Sequence, residues 1–167
     1  HFIRVGTCGA MQPDILSGEL VIAQSAVRQE GTALHYAPIE YPATADFEIT
    51  TALKQAADRL AVKSRVGVVQ CKDSFYGQHS PGRMPVAYEL EQKWEAWKKL
   101  GVLASEMESA AIYTAAAALG CKAGCVLHVV WNQEREAAGL DNPEVHDTSA
   151  AVKCAALAVK LLCGAVS

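Results

Sequence analysis

Nowhere in this sequence do lysines or arginines gather into a run, and 15 basic side chains are outnumbered by 18 acidic ones, for a net charge of −3. A surface that follows a phosphate backbone needs clustered Lys and Arg, so nucleic acid is excluded as a partner. Long apolar runs are lacking as well: a charged or polar residue interrupts each stretch before it could span a bilayer, and no membrane partner is expected. The opening residues resemble neither a secretion signal nor a transit segment, and internal repeats and low-complexity tracts are missing, so a soluble protein is expected. What is present is 51% hydrophobic against 20% charged residues over 167 positions, enough for one substantial core and too little for two domains.

Six cysteines raise the question of disulfides. Cys71, Cys121, Cys125, Cys154 and Cys163 all fall inside apolar runs, where a free thiol behaves as a small hydrophobe. A secreted disulfide scaffold would be shorter and richer in loops, so reduced thiols are expected. Cys121, Cys125 and His128 have a loosely metal-like spacing. Their segment reads as a buried strand that would turn Cys125 and His128 to opposite faces, and no metal site is assigned there.

Strand-like and helix-like patterns alternate along the chain. Residues 2–5 form a short strand running into Gly6-Thr7-Cys8-Gly9, read as a turn, and residues 20–27 a strand apolar enough to lie inside a sheet. The connection over 28–46 holds Gly31, Pro38 and Pro42, and a loop of that length is more often functional than idle. A helix capped by Asp46 follows, with Ile49, Leu53, Ala56 and Leu60 on one face. Residues 65–71 form a strand and 72–86 a Gly/Pro-rich loop, before a helix that sets Leu90, Trp94 and Trp97 against Lys93, Glu95 and Lys98. The order closes with a brief strand over 101–104, an Ala-rich helix over 110–119 that could be buried all round, and a strand over 123–131. A last helix over 145–163 places Val152, Ala155, Val159 and Leu162 on one face. This alternation predicts an α/β fold with a mixed, largely parallel sheet flanked by helices, in a single domain over residues 1–167.

Three segments carry residue types suited to chemistry. In Arg4-Val5-Gly6-Thr7-Cys8-Gly9, a Gly-rich turn lets backbone N–H groups approach an anion, Thr7 adds a hydroxyl and Arg4 a permanent, planar cation; an ordinary tight turn with an exposed Arg4 is the competing reading. In Ser105-Glu106-Met107-Glu108-Ser109, two carboxylates two residues apart at a strand end would aim one way and Met107 the other. A carboxylate can accept from two vicinal sugar hydroxyls, but acids also suit the dipole of a helix start. In the loop from Asp73 to Arg83, Phe75 offers an aromatic face and Gln78 a donor beside an acceptor, as a pyrimidine base requires, unless the aromatics merely anchor the loop. In order along the chain, these segments supply an anion site, a base site and a hydroxyl site.

These stretches resemble the nucleoside phosphorylase family, and within it the bacterial uridine phosphorylases. The resemblance runs at matching intervals over nearly the whole chain. It includes residues 2–12, Val27-Arg28-Gln29-Glu30-Gly31, His35-Tyr36-Ala37-Pro38 and Ala45-Asp46-Phe47-Glu48. It continues through Lys72-Asp73-Ser74-Phe75-Tyr76-Gly77-Gln78, Glu106-Met107-Glu108-Ser109-Ala110 and Val130-Trp131-Asn132-Gln133. The resemblance implies a three-layer fold and a cytoplasmic pentosyltransferase of pyrimidine salvage. Its reaction would be the reversible phosphorolysis of uridine to uracil and ribose 1-phosphate, with phosphate as co-substrate and no cofactor. By position it implies that Arg4 and Thr7 bind phosphate, Thr7 also lying near the ribose. Met107 and Glu108 would hold the sugar, Glu108 through the 2′ and 3′ hydroxyls, with Glu106 beside them. Phe75 would lie along the base, Gln78 at the uracil edge, and Val130 and Trp131 form the apolar wall. Arg4, Thr7 and Glu108 make up the implied catalytic set.

Departures from the family pattern sharpen these expectations. Many relatives carry an arginine two positions after the glutamine, to pair with uracil; here Ser80 stands there, and Arg83 is the candidate to reach in instead. Gln133 replaces another arginine beside the wall asparagine, and Val130-Trp131-Asn132 lacks the carboxylate that serves purines, which favours a pyrimidine. The family's chain begins well before Phe2, with a Gly-rich phosphate loop and further arginines, so the domain is expected to be N-terminally incomplete. Relatives are hexamers built from dimers, in which a neighbour lends an arginine and a histidine, and a homo-oligomer is implied. Two alternatives stay open: a nucleosidase of the same fold using water, and a non-catalytic fragment or subunit that needs a partner chain.

Overall fold

In the computed structural model, which describes residues 1–165, strand β2 (Leu20–Gln29) organises the sheet. Its side chains alternate between two apolar faces, as a pleated strand requires. Leu20 and Ile22 pack with Ile49, Leu53, Val126 and Cys154, whereas Val21 and Ala23 pack with Tyr113, Cys125 and Leu127. Strand β4 (Ser64–Lys72) runs parallel to β2, and β5 (Ala104–Glu106) parallel to β4. Strand β1 (Phe2–Ala10) lies antiparallel to β5 and parallel to β6 (Ala123–Asn132). Leu20, Val21 and Ile22 also pair antiparallel with β6, so the order β2-β4-β5-β1-β6 closes on itself. The two-residue β3 (Ala43–Thr44) lies antiparallel on the other end of β2.

The expected α/β alternation and mixed sheet are there, and the long pairings, β1 with β6 and β2 with β4, are parallel; the short antiparallel pairings leave the sheet partly closed instead of plainly parallel. Closure needs strands that bend, and two bulges supply the bends. One lies in β2 between Ala23 and Ser25, where the Ala23 carbonyl accepts the Tyr113 hydroxyl at 2.6 Å. The other lies in β6, where Cys8 pairs with Val129 but Gly9 with Trp131.

Helices α1 (Phe47–Arg59) and α6 (Ser149–Leu162) cover one face and α4 (Ser109–Ala118) the other. Asp46 caps α1 by accepting the Ile49 N–H at 3.1 Å. Gly124 lets α1 rest directly on β6, since a Cβ there would meet Ile49 Cγ2 at 2.3 Å. Leu60 falls just past the end of α1 instead of on its buried face. In α6 the small residues Ala151, Cys154, Ala155 and Ala158 turn inward and leave Val152, Val159 and Leu162 outside. The expected apolar face is displaced because small side chains let α6 approach α1 closely. Helix α4 is buried on one side only, through Ala110, Tyr113 and Thr114 among others.

Between β4 and β5 lie the short α2 (Tyr76–His79), which buries Gly77 and Gln78, and the amphipathic α3 (Ala87–Lys99), which buries no residue. Gly101, at φ +77°, closes α3, and β5 therefore begins at Ala104, where the expected strand ended. Cys8, Cys71, Cys125 and Cys154 are buried free thiols, but Cys121 and Cys163 are exposed, against expectation, because each lies just beyond a helix end. Among the described residues no helix is long and apolar enough to cross a membrane.

Asn132, fully buried at the end of β6, ties the following turn to the body. Its Nδ2 donates to the Gln12 and Ile15 carbonyls at 2.9 and 2.8 Å, and its Oδ1 accepts from the Glu134 and Arg135 N–H groups. Asn132→Ala strands two carbonyls and uncaps α5 (Gln133–Ala137), so urea denaturation is expected to show a loss of about 2–5 kcal/mol.

Candidate functional site

The segment Gly6-Thr7-Cys8-Gly9 is not a turn. β1 passes through it without a break because β6 pairs along its whole length and β5 takes its far end at Gly9 and Ala10. Gly6 serves a different purpose: Arg4 folds back along its own strand, and a Cβ at Gly6 would lie 2.4 Å from Arg4 Nη1. The guanidinium so placed lies 3.4 Å from Cys125 Sγ, 3.4 Å from Glu106 Oε2, and in a close ion pair with Glu108. Burial pushes the Cys125 thiol up to about 12, so it faces Arg4 as a neutral group.

Strand β5 ends at Glu106 and the chain bends before α4, which cancels the alternation expected to send Met107 away. Glu106, Met107 and Glu108 all line one cavity. The two acids nonetheless have different work. Glu106 is buried and accepts the backbone N–H groups of Glu108 at 2.9 Å and Ser109 at 3.0 Å, together with the Ser109 hydroxyl. It is spent largely on the orphan donors at the start of α4. Glu108 has a half-exposed side chain turned to Arg4.

The bulge in β6 puts Val130 out of register, and both Val130 and Trp131 reach the cavity wall. On the remaining side α2 brings Phe75 and Gln78. The space enclosed is about 610 Å³, within the range of small-molecule sites. Arg4, Thr7, Glu106, Met107, Glu108, Phe75, Gln78, Val130 and Trp131 all line it, with Arg4 against Glu106 and Glu108. Arg83 does not join them. It lines a separate depression with Tyr76, Ser80 and Met84, because the 3₁₀ turn Pro81–Arg83 directs the chain away after α2.

Lys72, His79, Ser105, Glu144 and His146 also line the cavity, and sequence reasoning gave none of them a role. Lys72 is buried at the end of β4, and its Nζ donates to Ser105 Oγ at 2.6 Å. Burial draws its pKa from the ordinary lysine range down to about 8, against the opposing pull of Glu106. His79 stacks on Phe75 with ring centroids 4.0 Å apart; burial, with the Lys72 charge, lowers its pKa and leaves a neutral imidazole at pH 7. A lysine directly after the buried-looking run Val68-Val69-Gln70-Cys71 was the available signal for Lys72. Nothing in the sequence pattern marked His146.

The sequence pattern of the phosphorylase superfamily matches residues 1–163. A uridine phosphorylase of Treponema pallidum is 56% identical over 161 residues, which cover 96% of this chain and 62% of that protein. A uridine phosphorylase of Escherichia coli is 41% identical over 140 residues, covering 81% of this chain and 54% of the relative. One of Thermococcus kodakarensis is 44% identical over 134 residues, covering 79% and 48%. The chain thus spans from about half to three-fifths of the length of these curated relatives.

Proposed function

The chain belongs to the phosphorylase superfamily, and from that premise we propose that it forms the nucleoside-binding part of a uridine phosphorylase. The observation that carries the reading is the single cavity that gathers the Arg4 cation from β1, the Glu108 carboxylate from the start of α4 and the Gln78 amide from α2. In this reading the helices on both faces of the sheet form the family's three-layer arrangement. The protein is cytoplasmic and assembles into dimer-based hexamers, with phosphate as a co-substrate and no cofactor.

Phosphate lies between Arg4 and Thr7, below the ribose. Glu108 and Met107 hold the sugar, Glu108 by accepting from the 2′ and 3′ hydroxyls. The uracil ring lies along Phe75, against Val130 and Trp131, with its polar edge toward Gln78. As the bond from C1′ to N1 breaks, its electron pair leaves with the base and positive charge builds on the ribose. The phosphate oxygen that closes on C1′ stabilises that charge and forms the new bond. Departing uracil is an anion, so groups that meet its growing charge accelerate the step. The family's arginine is missing at Ser80, and Arg83 lies elsewhere. Lys72 is the cation within the cavity that can take this part.

The test is uridine cleavage by the full-length protein with and without phosphate, followed by chromatography. Uracil and ribose 1-phosphate are expected only when phosphate is present. Equal uracil release without phosphate, with free ribose, would establish hydrolysis instead.

A further inference from the structure

Gln78 is buried, and the two faces of its carboxamide are so alike in shape that only its partners decide which is nitrogen. The chain of partners begins on a group that cannot change role. The Gln78 backbone carbonyl only accepts, and Gln133 Nε2 lies 3.4 Å from it. Gln133 is therefore turned with its amide nitrogen that way, and its Oε1 faces the Gln78 side chain, 3.0 Å from Nε2. Gln78 must in turn point Nε2 at Gln133 and Oε1 at Ser105 Oγ, 2.6 Å away.

The Ser105 side leaves the choice open. Its oxygen accepts from the Lys72 ammonium, and its one proton has two carboxamide oxygens to meet, those of Gln78 and, at 2.8 Å, Gln70. Gln70 is fixed independently: its Nε2 donates at 2.7 Å to Gln29 Oε1, which also accepts the donor-only Trp97 indole N–H at 2.8 Å. Ser105 can satisfy Gln70 and still accept from a reversed Gln78, so the decision falls to Gln133.

We infer that Gln133 is a positioning residue: it fixes which way round Gln78 presents its carboxamide, and so restricts the cavity to bases with a lactam edge. The inference rests on the nucleoside reading of the cavity. With one N–H committed to Gln133 and one lone pair to Ser105, Gln78 keeps one N–H and one lone pair for the base. In this orientation the oxygen meets a ring N–H and the nitrogen meets the adjoining carbonyl, as in uracil. Cytosine offers a bare ring nitrogen beside an amino group, and suits the reversed amide.

Uridine and cytidine binding by the full-length protein, measured calorimetrically for wild type, Gln133→Met and Gln133→Glu, tests this. Methionine keeps nearly the same shape without the amide oxygen, while glutamate keeps an acceptor. Wild type and Gln133→Glu are expected to prefer uridine, and Gln133→Met to lose about tenfold of that preference, the worth of one hydrogen bond. A role in packing alone would weaken both ligands alike, so an unchanged ratio in Gln133→Met overturns the inference, as does loss of preference in Gln133→Glu. Failure of the wild type to bind either nucleoside would instead sink the nucleoside reading itself.

Discussion

Lys72→Met is expected to lower the turnover of uridine by about a hundred- to a thousandfold, the range seen when a single group facing a developing anion is removed. The lysine is buried, and Ser105, to which its Nζ donates, is neutral. A cation so placed is costly, and its depressed pKa of about 8 expresses that cost. An anion arriving in the cavity would offset it. The sign of the pH effect follows. Below about pH 8 Lys72 is charged, so turnover is expected to hold at neutral pH and to fall as pH rises through that value. In Lys72→Met that alkaline fall should vanish along with the rate. Stability runs the other way: the folded state binds fewer protons than the unfolded chain between about pH 8 and the ordinary lysine value, so burial of Lys72 weighs most on the fold below that window. Neutral methionine removes that burden. Calorimetric melting at pH 7 should show Lys72→Met at least as stable as wild type, which separates a lost catalytic charge from a damaged fold. Unchanged turnover in a folded Lys72→Met would remove Lys72 from the mechanism.

What could be read from the sequence was periodicity and residue type; what escaped it was set by contacts between distant segments. Ile49, Leu53 and Ala56 announced the buried face of α1, and Asp46 its start, because both are local. The face of α6 was misread because the helix is apolar nearly all round, and only the close approach of α1 selects the alanines over Val152 and Val159. Closure of the sheet depends on β2 meeting β6 from more than a hundred residues away, and no local pattern encodes that pairing. The glycines at 6 and 9 looked like a turn, since their composition is that of a turn. Their neighbours β5 and β6 hold them extended, and Gly6 makes room for Arg4. Within the site, the types Arg4, Gln78 and Glu108 were legible as chemistry. The division of labour between Glu106 and Glu108 was not, because it follows from where β5 stops and which N–H groups α4 leaves unpaired.

That division sets the second large effect. Glu108→Ala is expected to lower kcat/KM for uridine by about a hundred- to a thousandfold, since a carboxylate that accepts from two hydroxyls makes two charge-assisted bonds of about 1.5–3 kcal/mol each, part of which water replaces. For 2′-deoxyuridine, which lacks one of those hydroxyls, the loss should be smaller, so the variant's preference for ribonucleosides should shrink. The phosphate side should respond in the opposite sense. Without ligand, Glu108 is ion-paired with Arg4, the group that would hold phosphate. The Glu108 side chain is 53% exposed, so the pair itself contributes little to the fold and its loss should leave the melting temperature nearly unchanged. Freed of this competitor, and with Glu106 still engaged at the start of α4, Arg4 should bind phosphate as well as before or better. Measuring both Michaelis constants in one variant therefore tests the two assignments together. A phosphate KM that rises in step with the nucleoside KM would show that Glu108 supports the site as a whole, and not the sugar.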